Sequence, residues 1–70
     1  MKRISKAIKE KVEKCLKENE CAISVEWGID SCTAFDVDGK AIDDFLIDID
    51  EDRNVWYTPI SCWQVTLPVK

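Results

Sequence analysis

Apolar residues recur at helical spacing at the start of the chain. Ile4, Ala7, Ile8, Val12, Cys15 and Leu16 share one face, while Lys and Glu fill the other positions. The spacing predicts an amphipathic helix over about residues 3–19, about 25 Å long at 1.5 Å per residue. Lys6–Glu10, Lys9–Glu13, Glu10–Lys14 and Glu13–Lys17 stand four apart and support its outer face, and Asn19 suits its C-terminal end.

The period then changes to two. In "CAISVEWGI", Cys21, Ile23, Val25, Trp27 and Ile29 point one way, and Ala22, Ser24, Glu26 and Gly28 the other. The chain turns around "GIDS". Thr33, Phe35 and Val37 then share a face, and Asp38-Gly39 is a hairpin signal because glycine tolerates positive φ. A two-residue turn there sets Ile42 opposite Phe35, whereas the next apolar set is Phe45, Ile47 and Ile49. The change of parity predicts a β-bulge at Asp43-Asp44. "EDRN" reads as a turn, "VWYT" as a fourth strand, and Pro59 as an edge or a break. Beyond it Trp63, Val65, Leu67 and Val69 alternate with polar residues and Pro68, and Trp63 joins Trp27 among the core candidates.

These elements predict an α+β domain spanning residues 1–70, with the helix on one face of a four- or five-stranded antiparallel meander over about residues 21–69. A chain this short buries only about 60% of its unfolded surface, so a staple or a partner often adds to its stability. No linker or repeat divides it, and an apolar share of 46% argues against disorder.

Charge is segregated along the chain. Up to Asn19, seven Lys/Arg face three Glu; from Glu20 onward, eleven acids face three Lys/Arg. Such asymmetry bears on partners more than on fold. The N-terminus lacks the apolar core of a signal peptide, and no stretch approaches the roughly 20 apolar residues that span a bilayer. The expected location is the cytoplasm of the producing cell, or of a host that its gene has entered, with no role at a membrane.

Four cysteines (Cys15, Cys21, Cys32, Cys62) and no histidine leave zinc without its usual close ligand pairs. Free buried thiols are the expected state, with a disulfide such as Cys21–Cys32 or a metal site as alternatives. Asp48, Asp50, Asp52 and Asn54 follow the first positions of an EF-hand loop. Arg53, however, stands where a glycine is needed, and Pro59 where a bidentate Glu is needed. Calcium at Asp48–Asp52, or at Asp36 and Asp38, is therefore a minor alternative, and no cofactor is expected. No catalytic residues stand out: there is no nucleophile–base pair, P-loop or G-x-S-x-G, so an enzyme is not expected. Glu10 and Glu13 interrupt the lysine-rich helix and no aromatics interleave with it, so direct nucleic-acid contact is not expected either.

The densest chemistry is the acidic stretch itself. Asp43, Asp44, Asp48, Asp50, Glu51 and Asp52 crowd one strand and its turn, with Trp56 and Tyr57 close behind. Alternate strand residues lie about 6.6 Å apart, near the phosphate spacing of a nucleic-acid strand. An exposed aromatic beside such a row supplies affinity, and charge supplies fast association. The expectation is an acidic binding module or inhibitor that docks on a basic partner, such as a nuclease or another nucleic-acid-handling protein. Small acidic nuclease inhibitors, including immunity-type and phage-encoded antagonists of host defence, use the same physical logic. The alternative is a structural subunit that forms a homo-oligomer through an uncovered aromatic sheet face.

Overall fold

The computed structural model describes residues 4–69; Met1, Lys2, Lys70 and Arg3, the first residue of the expected helix, lie outside them. The helix α1 runs Lys6–Asn19, and Ser5 caps it by accepting a hydrogen bond from the Ile8 amide at 3.3 Å. At the other end the chain leaves through Cys21 with φ of 60°, and the Glu20 amide donates to the Leu16 carbonyl at 2.8 Å.

A five-stranded antiparallel sheet follows in the order β1-β2-β3-β4-β5. The strands are β1 (Ser24–Trp27), β2 (Ser31–Phe35), β3 (Ala41–Ile49), β4 (Val55–Pro59) and β5 (Leu67–Pro68), with a 3₁₀ turn at Ile60–Cys62 before the last. The α+β meander expected from the pattern is therefore the architecture. Val12, Cys15 and Leu16 of α1 join Cys32, Ala34, Phe45, Ile47, Val55 and Tyr57 of the sheet in one buried cluster. Phe45 and Tyr57 meet edge to face at 5.6 Å, and each fully buried apolar side chain of this size contributes roughly 1.5–3 kcal/mol. Trp27 closes one side of the helix: its Nε1 donates to Glu13 at 2.9 Å, and the Lys9 ammonium lies 5.6 Å from its ring.

Several expectations of register and face are corrected. The bulge lies one residue before the expected place. Ala34 pairs with Asp43 and Phe35 with Ala41, which leaves Ile42 as the extra residue. The cause is the turn before it, which spans Asp36 to Lys40 and not Asp38-Gly39 alone. In β1 only Val25 and Trp27 pack on the core. Ile23 and Ile29 are 60% and 80% exposed, Cys21 is exposed, and Ala22 is buried in their stead. The alternation there outruns a strand of four residues. Trp63 is 71% exposed because the 3₁₀ turn breaks the alternation after Pro59. All four cysteines are free thiols, Cys15 and Cys32 buried, Cys21 and Cys62 exposed, so the expected burial applies to two of them. No described helix is long and apolar enough to cross a membrane.

Candidate functional site

One helix covers one face of the sheet, and the register determines what remains on the other. In β3, Phe45, Ile47 and Ile49 turn toward α1, so Asp44, Leu46 and Asp48 point away from it. Cross-strand pairing extends this open face. Thr33 lies opposite Asp44, Glu26 opposite Thr33, Ser31 and Thr58 opposite Leu46, and Trp56 opposite Asp48. Leu46 is 47% exposed, and Trp56 and Phe35 are half-buried on the same side. Leu46 and Trp56 thus form a small apolar patch with Asp44 and Asp48 on either side along β3, and Phe35 lies apart from it beyond the Thr33–Asp44 pair.

The sequence-predicted residues divide into those that face out and those that hold the fold. Asp44 and Asp48 are exposed on the open face, and Asp44 accepts a hydrogen bond from the Thr33 hydroxyl. Glu51 and Asp52 are exposed on the turn after β3. Asp43 serves the fold instead. It accepts from the Ser61 hydroxyl and, at 2.8 Å, from the Asp44 amide, which ties the 3₁₀ turn to β3. Asp50 organises its turn by accepting from the amides of Asp52 at 2.9 Å and Asn54 at 2.8 Å. Its second oxygen accepts from the Trp56 indole at 3.1 Å and the Asn54 side chain at 3.3 Å. These bonds, that from Trp56 first, hold its pKa below the usual carboxylate value. Of the two aromatics, Trp56 reaches the open face, whereas Tyr57 is 2% exposed in the core on the opposite face. Burial pushes the Tyr57 phenol up to about 12, with Cys15 and Glu20 adding to it.

The acids therefore do not form a continuous row. On the open face of β3 the carboxylates of Asp44 and Asp48 are separated by Leu46 and stand about 13 Å apart along the strand, twice the pitch of alternate positions. Asp50 has left the strand for the turn. Among the described residues no group of three or more His, Cys, Asp or Glu lies close enough to hold a metal, and Asp50, the middle carboxylate of the EF-hand-like spacing, serves backbone amides. Cys32 offers no nucleophile. Burial, then Glu13 and Asp44, push its thiol up to about 12.

Glu26, Thr33, Phe35 and Leu46 belong to the open face and escaped the sequence reading. Leu46 was within reach, because the parity of Phe45 and Ile47 places it outside; the other three needed the β1–β2–β3 register. No protein-family model matches the chain, and neither a curated protein nor a solved structure is significantly similar to it.

Proposed function

We propose that the protein is a binding module whose open sheet face docks on a basic protein, and that it acts in the cytoplasm as an inhibitor or antagonist of a nucleic-acid-handling partner. The observation that carries this reading is the outward alternation Asp44–Leu46–Asp48 on β3 with Trp56 beside it. Apolar surface at the centre supplies affinity, and the flanking carboxylates supply orientation and rate. With Leu46 inside the row, the acids act as flanking charges and not as a phosphate ladder. The net charge of −4 adds long-range attraction for such a partner.

The test is affinity capture from a lysate of the producing cell at low and high salt, with the wild type compared with the triple variant D44N/L46S/D48N. The wild type should hold a basic nucleic-acid-handling protein at low salt and release it at high salt. The variant should fold, by circular dichroism, and lose that protein. Equal recovery by both would sink the reading. The exposed Leu46 beside Trp56 also favours self-association through the same face; a dimer that persists at high salt would select that alternative.

A further inference from the structure

Where β3 runs into its second turn, an open groove of about 420 Å³ is lined by Ile4, Ile47, Ile49, Asp30, Asp48, Asp50 and Glu51. Its isoleucines lie deep, Ile4 at 9% and Ile47 at 7% exposure, whereas Asp30, Asp48 and Glu51 are exposed at the rim. Among the described residues no cationic side chain lines it. A purely apolar ligand would strip water from the rim carboxylates without replacing it. A bare metal ion would meet hydrocarbon where it needs oxygen. A long side chain with an apolar stem and a cationic tip satisfies both parts, and a guanidinium is less strongly hydrated than an ammonium, so it loses less on entering.

We propose that this groove is a subsite for one arginine side chain of the basic partner, its methylenes on Ile4, Ile47 and Ile49 and its guanidinium among Asp30, Asp48 and Glu51. The inference rests on the docking reading above and deepens it. Asp50 is not one of these groups, since its oxygens already serve the turn and Trp56. Asp48 connects the two surfaces: it lines the groove and pairs in register with Trp56. A partner seated on the open face thus needs only one side chain to reach around the end of the β3–β4 hairpin.

The test uses ¹⁵N-labelled full-length protein titrated with Nα-acetyl-arginine methylamide, and in parallel with the neutral, equally shaped citrulline compound. The arginine compound should shift the amides of Asp30, Ile47, Ile49 and Glu51 at millimolar concentration, and the citrulline compound should bind more weakly. The variant D30N/E51Q should lower the arginine affinity about fivefold while keeping the wild-type spectrum elsewhere. Equal binding of citrulline, or no shift at all, would overturn the subsite. Shifts confined to Thr33, Asp44, Leu46 and Trp56 would overturn it and leave the docking reading standing. Groove shifts that appear only after Lys2→Ala and Arg3→Ala would also overturn it, naming the chain's own cations as the occupant. The docking reading fails by a separate result, equal capture by wild type and D44N/L46S/D48N.

Discussion

Two turns of this molecule are built on the same plan from different means. Asp36-Val37-Asp38-Gly39-Lys40 joins β2 to β3, and Asp50-Glu51-Asp52-Arg53-Asn54 joins β3 to β4. In each, the fourth residue's amide donates to the first residue's carbonyl at 3.0 Å, and the first residue's amide donates to the fifth residue's carbonyl. In each, the leading Asp carboxylate collects the amides of the third and fifth residues. The fourth residue takes the left-handed conformation, Gly39 at φ 77° and Arg53 at φ 67°. Gly39 adopts it freely; Arg53 does so at a cost of about 1 kcal/mol. The second turn offsets that cost with side-chain bonds that the first lacks, from the Asn54 amide group and the Trp56 indole to Asp50. A turn that relies on glycine is autonomous. One that relies on side chains is tied to whatever those side chains also do, and here Trp56 is part of the open face.

The comparison can be broken most strongly at its two aspartates. Asp50→Ala removes the acceptor of the four hydrogen bonds described above and should lower Tm by several degrees, more than Asp36→Ala, which removes the bonds to the Asp38 and Lys40 amides. Equal losses in matched thermal melts would mean that the indole and Asn54 bonds contribute nothing. Glycine exchange comes next. Gly39→Ala should cost about 1 kcal/mol through backbone conformation alone, because an added Cβ meets nothing within 4 Å. Arg53→Gly should stabilise by up to about 1 kcal/mol, and urea unfolding of both variants would read the opposite signs. The smallest effect is on pH dependence. A carboxyl with a depressed folded pKa stabilises above its unfolded value, near 3.8 for Asp50, and loses that contribution as pH falls through the folded value. Trp56→Phe removes the largest cause of the depression, so the Asp50 titration followed by carboxyl ¹³C NMR should move up toward the ordinary range.

These turns also mark where the sequence was legible. The helix was, because its pattern and its end at Asn19 are local, although it starts at Lys6 after the Ser5 cap and not near residue 3. The meander was, because the alternating runs and turn residues are local too. What escaped was non-local. Trp63 reads as core by alternation, but Pro59 ends the strand and the chain turns away before Trp63 is reached. Ile23 and Ile29 continue the pattern of β1 beyond the residues that pair with β2. In the candidate site, the acidic composition was plain, whereas the division of labour was not. Nothing in the local sequence says that Asp43 is held by Ser61, eighteen residues on, or that Asp50 answers to Trp56 while Asp48 does not.

The two margins of the sheet are unequal, and that limits how copies of this chain can assemble. β5 is two residues long and ends at Pro68, which has no N–H to give a further strand. Strand addition is therefore disfavoured at β5, which leaves β1 as the better suited outer margin. A second copy pairing antiparallel there would cover both β1 margins at once and give a closed pair.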